Sequence, residues 1–300
     1  MLHVKPDFYD DFICIADKCR HSCCLGWEID IDDESLRRFM AVEGEFGEYM
    51  RRNIELEPTP HFVMGGDERC PFLREDGLCK MILSLGEDSI CDICREHPRF
   101  YNELPGRIEA GLGLCCEEAA RLLLEGDEHL RLIAEGEDEG EEDELLSLRD
   151  EIYAILRHDE LSFSRREKES LSLFGMAPLP FDFKALAEFY LRLERLDEDW
   201  TRRLDTLRAT DEIVLEPRLS ALPYLRLAEY FIYRHFASAP DEYEAGFRLQ
   251  FAFLSTKLIC ALDSIFHDAE STRLYSSEIE YSDENVEKIL DYIDEKNSLT

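Results

Sequence analysis

Cysteine is the residue type in this chain whose number and spacing indicate a chemical role. Ten of the eleven cysteines lie within the first 116 residues, and Cys260 lies far from them. Thiols at this density either pair as disulfides or, as thiolates, bind a metal. The ten occupy positions Cys14, Cys19, Cys23, Cys24, Cys70, Cys79, Cys91, Cys94, Cys115 and Cys116.

The start of the chain favours metal binding over disulfides. It contains no apolar core of signal-peptide length and reaches an acidic residue at Asp7, so we expect no export and a cytoplasmic protein. A reducing cytosol keeps thiols free, and a dense cysteine pattern there more often serves a metal or catalysis. The odd number of cysteines also fits poorly with a closed disulfide framework. Disulfides and unliganded thiols are the alternatives.

Spacing leaves the kind of metal open. Two residues separate Cys91 from Cys94, a spacing that suits zinc and iron–sulfur clusters alike. His21 and His97 lie near thiols in the sequence, but we interpret both as polar loop residues rather than ligands. A ligand set dominated by thiolate indicates either an all-thiolate zinc site or an all-thiolate iron–sulfur cluster.

The composition narrows the classes of partner. A formal net charge of −34 argues against nucleic acid, because backbone phosphates would be repelled. The charge is compatible with a lysine-rich or otherwise cationic substrate, or it serves only solubility. A hydrophobic content of 45% over 300 residues is enough for a packed core. We expect no membrane association, since no stretch approaches the roughly 18 apolar residues of a membrane span.

The chain is predicted to have a mainly α fold in two parts. Residues 1–134 are expected to form a small irregular α+β cysteine-rich metal-binding unit, and residues 145–300 a helical C-terminal domain. Residues 135–144 between them are almost all acidic. Like charges at this density oppose compaction, so this stretch is predicted to be a linker.

Local patterns predict the elements that would position the thiols. Alternation over residues 27–31 and again over 108–114 predicts two short strands. Helical spacing from Glu117 onwards puts Cys116 near a helix N-terminus, where the dipole favours a thiolate. In the second half, apolar residues repeat at intervals of three and four, as in packed amphipathic helices. Cys260 falls in such a helix and is predicted to be a small buried hydrophobe.

Several runs along the chain form a recognisable pattern. They are Cys14-x4-Cys19-x3-Cys23-Cys24-x-Gly26-Trp27-x-Ile29, Cys70-Pro71-Phe72-Leu73 with Leu78-Cys79, Cys94-Arg95-Glu96-His97-Pro98-Arg99, Cys116-Glu117-Glu118-Ala119-Ala120-Arg121 and Tyr233-Arg234-His235-Phe236. Together they resemble the flagellin lysine-N-methylases over roughly residues 8–265. The cysteine part is also similar to a broader group of small zinc- or iron-chelating domains.

This resemblance implies an enzyme and a set of ligands. The activity would be S-adenosylmethionine-dependent N-methylation of surface lysines of flagellin, with a 4Fe–4S cluster, or zinc as the alternative. The implied ligands exceed the four that one cluster needs, so either there are two centres or half of the thiols are structural. Cys91 and Cys115 fall outside the pattern, and Glu117 stands where proline is expected, with small consequence for ligation. The implied ligands are Cys14, Cys19, Cys23, Cys24, Cys70, Cys79, Cys94 and Cys116.

The implied chemistry has further requirements. Methyl transfer needs a neutral lysine amine, whereas the free ammonium has a pKa of about 10.4. No base stands out, and we interpret Tyr233 and His235 as packing residues. No nucleotide-binding turn is evident, since residues 111–113 lack its third glycine. The Cys-x3-Cys-x2-Cys spacing of radical enzymes is missing, which favours polar displacement. The alternative function is a non-enzymatic zinc- or iron-binding carrier or adaptor.

Overall fold

The computed structural model of this protein describes residues 1–26, 28–137, 140 and 143–298, and Asp67 by its main chain only. It is mainly helical with a small mixed sheet, which confirms the predicted fold class. The helices are α1 Asp33–Met40, α2 Gly44–Arg52, α3 Lys80–Leu85, α4 Asp92–Glu96, α5 Glu117–Leu124, α6 Glu144–Leu156, α7 Phe163–Ser172, α8 Phe183–Tyr190, α9 Glu198–Ala209, α10 Glu216–Leu219, α11 Leu222–His235, α12 Glu242–Phe266, α13 Glu270–Tyr275 and α14 Asp283–Asn297. The strands are β1 Leu2–Pro6, β2 Ile54–Glu55, β3 His61–Phe62, β4 Arg99–Leu104, β5 Arg107–Leu112 and β6 Leu132–Glu135.

The chain folds into two compact units. The predicted division into residues 1–134, 135–144 and 145–300 stays a prediction, and residues 138, 139, 141 and 142 of its linker lie outside the described residues. Unit 1 comprises Met1–Phe12, Tyr101–Cys115 and Ala119–Thr300, and unit 2 comprises Ile13–Phe100 and Cys116–Glu118.

A four-stranded sheet joins distant parts of the sequence. Its strand order is β4, β5, β1, β6. β1 runs parallel to β5, with Leu2 opposite Arg107, and antiparallel to β6, with His3 opposite Glu135. The alternation predicted over residues 108–114 corresponds to β5. The first strand of the chain therefore takes its place in the sheet only by pairing with residues more than a hundred positions away.

Helix α12 forms the centre of unit 1. An 18-residue window of it has a mean hydropathy of 1.4, so by length and composition the helix could cross a membrane. This corrects the expectation that no stretch is apolar enough. Of that window, 83% is buried within the fold, where α11 and α14 pack against it. This burial is consistent with the core helix of a soluble protein, and Cys260 is completely buried there, as predicted.

Unit 2 packs around a small aromatic core. The rings of Phe62 and Phe72 meet edge to face with centroids 4.9 Å apart, and Tyr49 meets Phe72 in the same way at 5.7 Å. Phe39 of α1 stacks on Phe62 at 6.0 Å. Such aromatic pairs stabilise beyond the area that they bury. They hold together a unit whose helices and strands are too short to be stable alone.

The strand predicted over residues 27–31 does not form among the described residues 28–31. Ile29 and Ile31 are buried, as their alternation indicated, but Asp30 makes only an isolated bridge with His61. The neighbouring strand β3 is two residues long, so there is no ladder to extend. Trp27, which belonged to the same prediction, lies outside the described residues.

Buried polar contacts tie the sheet of unit 1 to its helices. Arg149 of α6 donates two hydrogen bonds to the carboxylate of Glu109 in β5, at 2.6 and 2.7 Å, and both side chains are buried. The Tyr233 hydroxyl of α11 lies 3.0 Å from the carbonyl oxygen of Val4 and 2.9 Å from that of Ala110. These contacts fix β1 and β5 against two helices.

Replacing Tyr233 by phenylalanine tests this attachment. Tyr233→Phe keeps the buried ring but removes the donor to two carbonyl groups, so we expect the free energy of unfolding to fall by about 1–3 kcal/mol. The midpoint of urea unfolding, followed by circular dichroism, measures the change. Tyr243→Phe is the matched control, because Tyr243 is 64% exposed and should tolerate the change. Equal midpoints for the two variants would contradict a structural role for the Tyr233 hydroxyl.

Candidate metal centre

Unit 2 collects nine of the ten N-terminal cysteines, and Cys115 belongs to unit 1. All eleven are free thiols, so no disulfide links them. The nine come from stretches far apart in the sequence, and the fold of unit 2 brings them into one small body. The nine are Cys14, Cys19, Cys23, Cys24, Cys70, Cys79, Cys91, Cys94 and Cys116.

Five of these thiols pack with the aromatic core of unit 2. Cys70 and Cys91 are buried within it, and Cys24, Cys79 and Cys94 are partly buried against it. The backbone N–H of Cys70 donates to the carbonyl oxygen of Cys24 at 2.9 Å, which brings these two stretches side by side. Cys79 precedes α3 and Cys91 precedes α4, each as the N-cap residue.

Backbone N–H groups are directed at three of these sulfur atoms. The thiol of Cys70 accepts a hydrogen bond from the N–H of Phe72, and that of Cys79 accepts from the first turn of α3. The thiol of Cys91 accepts from the N–H of Cys94. N–H donors stabilise sulfur as thiolate, the form that binds metals. Their effect is outweighed at Cys70 by the hydrogen bond to Cys24 and by burial, and at Cys79 by burial, so the pKa of both is raised, whereas that of Cys91 is lowered.

Sulfur atoms also contact one another. Hydrogen bonds from the thiols of Cys23 and Cys70 lower the pKa of Cys24 to about 3. The same bonds, together with burial, raise the pKa of both donors. A second contact joins Cys91 and Cys94, and it lowers the pKa of Cys91 while raising that of Cys94. The unit therefore favours thiolate at some sulfurs and thiol at their neighbours.

Two further thiols of unit 2, those of Cys19 and Cys116, lie next to Glu117. The sulfur of Cys19 is 3.9 Å from the Glu117 carboxylate, which also accepts from the backbone and the guanidinium of Arg20 at 3.0 and 2.8 Å. Cys116 precedes Glu117, at the start of α5, as the helical spacing predicted. The glutamate that departs from the family pattern thus holds the loop of Cys19 beside Cys116.

The donor set fits an all-thiolate centre by its chemistry. Among the residues that the structure describes, no three His, Cys, Asp or Glu side chains are grouped so that they could hold one metal ion. The thiols are all free, and soft sulfur ligands suit zinc and iron–sulfur clusters. A four-iron cluster separates its ligands more widely than a single ion does, because each thiolate binds a different iron atom.

The structure gives other cysteine and histidine residues packing roles. Cys260 is buried in α12, and burial raises its pKa to about 12. Cys115 shares a hydrogen bond with Tyr281 in unit 1. The Nε2 of His235 lies 2.8 Å from the Glu280 carboxylate, within the core of unit 1. His97 is half-buried beside Cys24, and burial lowers its pKa.

Sequence reasoning gave too little weight to two residues near the thiols. Cys91 falls outside the family pattern, yet it is completely buried and its sulfur contacts that of Cys94. The two-residue spacing to Cys94 was the signal that could have assigned it. Asp32 accepts hydrogen bonds from the N–H of Ser35 at 2.8 Å and of Asp92 at 3.0 Å, so one carboxylate caps both α1 and α4.

Comparisons with known proteins give a partial likeness. The chain is 24% identical over 135 residues to the lysine-N-methylases of Salmonella choleraesuis and Salmonella typhimurium. It is 25% identical over 135 residues to flagellar biosynthetic protein FliU of Salmonella muenchen. Each match covers 43% of this chain, 34% of each methylase and 80% of FliU, so the chain spans about a third of the methylases that it matches. No family model matches, and no solved structure matches significantly.

Asp32 provides a test of how the α4 thiols are held. Burial raises the pKa of Asp32, but hydrogen bonds from Asp92 and Ser35 outweigh it and lower the pKa to about 2. The folded-state pKa is thus below the unfolded value of about 3.9, so the stability that the carboxylate contributes is present above that value. It is lost as the pH falls towards 2.

We therefore expect Asp32→Asn to unfold at lower urea concentration than the wild type at pH 7. The difference between the two midpoints should shrink as the pH is lowered from about 4 to about 2. Asp33→Asn is the matched control, because Asp33 is exposed and makes no cap in α1. A difference that stays constant with pH would contradict the role of the Asp32 charge.

Proposed function

We propose that this chain is a protein lysine N-methyltransferase that acts on surface lysines of flagellin and uses S-adenosylmethionine as methyl donor. The observation that carries the proposal is the match over 135 residues to proteins named lysine-N-methylase. The name of the FliU relative supports the flagellar link. The gathering of free thiols in unit 2 supports the metal-dependent form of this function.

The metal in this proposal is a 4Fe–4S cluster, with zinc as the alternative. When bound, a cluster would join separate stretches of unit 2 and could exchange one electron. Backbone N–H groups are directed at Cys70 and Cys79 and would stabilise their thiolates, the form that either metal requires, whereas the hydrogen bond to Cys24 and burial raise the pKa of Cys70 and burial raises that of Cys79. The residues proposed to hold the metal are Cys14, Cys19, Cys23, Cys24, Cys70, Cys79, Cys94 and Cys116.

The methyl transfer is proposed to be a polar displacement. The lone pair of a neutral lysine amine attacks the methyl carbon of the sulfonium, the carbon–nitrogen bond forms as the carbon–sulfur bond breaks, and S-adenosylhomocysteine leaves. A base takes the proton that the amine carries in water. The enzyme must also align donor and acceptor at near-attack distance. Tyr233 and His235 are held by internal hydrogen bonds, and we do not assign the base to them.

Intact-mass measurement of flagellin tests the activity. Protein purified without oxygen is incubated with S-adenosylmethionine and flagellin, and the flagellin mass should rise by whole methyl groups. Flagellin with chemically blocked lysines is the control and should keep its mass. If flagellin is unchanged while the protein retains its metal, the alternative of a non-enzymatic zinc- or iron-binding carrier or adaptor is favoured instead.

Cysteine variants test the proposed ligands. We expect Cys23→Ser and Cys79→Ser to lower the metal content of anaerobically purified protein and to destabilise unit 2, because each removes one proposed thiolate ligand. Cys260→Ser should keep the wild-type metal content, since Cys260 is buried in α12 of unit 1. Metal analysis and visible absorption measure the result. Equal metal content in all three variants would overturn the ligand assignment.

The net charge of −34 predicts a salt dependence of methylation. If the charge attracts a cationic substrate, the rate at low flagellin concentration should fall several-fold as the salt rises from about 0.01 M to about 0.15 M, where the Debye length shrinks from about 30 Å to about 8 Å. A short lysine peptide without net charge is the control. Identical salt responses for the two substrates would mean that the acidity serves solubility alone.

A further inference from the structure

We propose that a cavity of unit 1 binds the amino-acid end of the methyl donor, with Arg226 as the partner of its carboxylate and Asp7 as the partner of its ammonium group. This inference rests on the proposed function and adds the place where its donor would bind. The cavity has a volume of about 350 Å³ and is lined by Asp7 and Phe8 after β1, by the end of α5 and by Arg226 of α11. All of its lining residues belong to unit 1.

Arg226 forms a buried wall of this cavity. Its side chain is 3% exposed, its Nε donates to the carbonyl oxygen of Leu123 at 2.6 Å, and its Nη1 donates to that of Glu128. Among the described residues Nη2 has no hydrogen-bond acceptor, and the carboxylate oxygen Oδ1 of Asp7 lies 3.9 Å from it. A buried donor without an acceptor is costly, so this nitrogen indicates a ligand that supplies one.

Asp7 provides the complementary acceptor. Its Oδ1 is buried and accepts no hydrogen bond within the part of the chain that the structure describes. Its Oδ2 lies 3.5 Å from Nε of Arg131, and its backbone N–H donates to the carbonyl oxygen of Arg131 at 2.8 Å. The position of the Asp7 carboxylate is therefore fixed, beside an arginine nitrogen that is too distant to donate to it.

An unpaired donor beside an unpaired acceptor matches the two charged groups of an α-amino acid. A carboxylate accepts charge-assisted hydrogen bonds from a guanidinium, and an ammonium group donates them to a carboxylate. S-adenosylmethionine carries both groups at one end, next to a cationic sulfonium. The exposed carboxylates of Asp11, Glu125 and Asp127 line the same cavity and would attract that positive charge. The cavity therefore suits a zwitterionic group better than a simple anion or a simple cation.

Gly126 leaves the room that the Arg226 guanidinium needs. A Cβ atom at this position would lie 2.2 Å from Cζ and 2.5 Å from Nη2 of Arg226. Any larger side chain would displace the guanidinium from its place in the cavity. Gly126→Ala therefore perturbs the proposed site without removing a charged group.

Calorimetric titration of the full-length protein with two probes tests the site. S-adenosylhomocysteine keeps the amino-acid end and lacks the transferable methyl group, whereas 5′-methylthioadenosine keeps the nucleoside and the thioether but lacks the amino-acid end. We expect the wild type to bind S-adenosylhomocysteine about tenfold more tightly or better. Asp7→Asn and Gly126→Ala should each weaken S-adenosylhomocysteine binding about tenfold and leave 5′-methylthioadenosine binding unchanged, because only the amino-acid end would contact these residues.

Two residues outside the cavity supply matched controls. Asp10→Asn is the control for Asp7→Asn, because Asp10 is exposed and its carboxylate pairs with Lys5 at 2.8 Å. Gly66→Ala is the control for Gly126→Ala, since a Cβ atom at Gly66 would meet no described atom within 4 Å. Both control variants should bind the two probes as the wild type does.

The remaining outcomes separate this inference from the proposed function. S-adenosylhomocysteine binding at wild-type strength in both site variants would overturn the cavity as the donor site and leave the proposed donor in place. Equal weakening of the two probes would indicate a structural effect and overturn the assigned contacts. Equal affinity of the wild type for both probes, a comparison that needs no variant, would also overturn them. If the wild type does not bind S-adenosylhomocysteine, this inference fails, and the flagellin mass measurement decides the proposed function by itself.

Discussion

The gathering of nine free thiols in one small unit is the constraint on which the structure of unit 2 depends. Thiols that are brought together cannot all ionise, because neighbouring thiolates repel one another and burial penalises charge. Hydrogen bonds between thiols reduce this repulsion in part, because Cys24 accepts from the thiols of Cys23 and Cys70, which stay protonated. A bound metal cation would neutralise the remaining charge, since it replaces the thiol protons and couples its binding to folding. Unit 2 otherwise has only short helices and strands around a small aromatic core.

In unit 1, buried carboxylates are stabilised by arginine side chains and backbone N–H groups. Glu229 is completely buried, and its carboxylate accepts hydrogen bonds from the Arg157 guanidinium at 3.0 Å and from the N–H of Leu130 at 2.8 Å. Glu109 and Arg149 form a similar pair beneath the sheet. A buried charge whose partner is removed costs several kcal/mol, so such pairs hold their elements in one arrangement. These contacts join α6 to β5 and to α11 within unit 1.

The acidic surface and the thiol-rich unit support the same proposed function in different ways. A net charge of −34 would raise the local concentration of a lysine-bearing substrate, as complementary fields do at other interfaces. The thiols would hold the metal, and the capping of α1 and α4 by Asp32 fixes the helix that carries Cys94. The proposed function would relate both features to one reaction class, that of the lysine-N-methylases which the chain matches in part.

The sequence by itself determined the mainly helical fold, the buried position of Cys260 and the start of α5 after Cys116, because these follow from local periodicity and composition. The cysteines could be selected as candidate metal ligands because their number and spacing are visible in the sequence. Tertiary structure decided which thiols meet: Cys70 lies beside Cys24, Cys91 contacts Cys94, and the doublet of Cys115 and Cys116 is divided between two units.

Tertiary structure also decided the place of the first strand and the failure of the strand predicted at residues 27–31. β1 pairs with β5 and β6, and residues 28–31 meet a partner strand of only two residues. Local patterns report which face of a segment is apolar. They carry no information about which distant segment will cover that face, because this choice depends on the packing and hydrogen bonding of the whole chain.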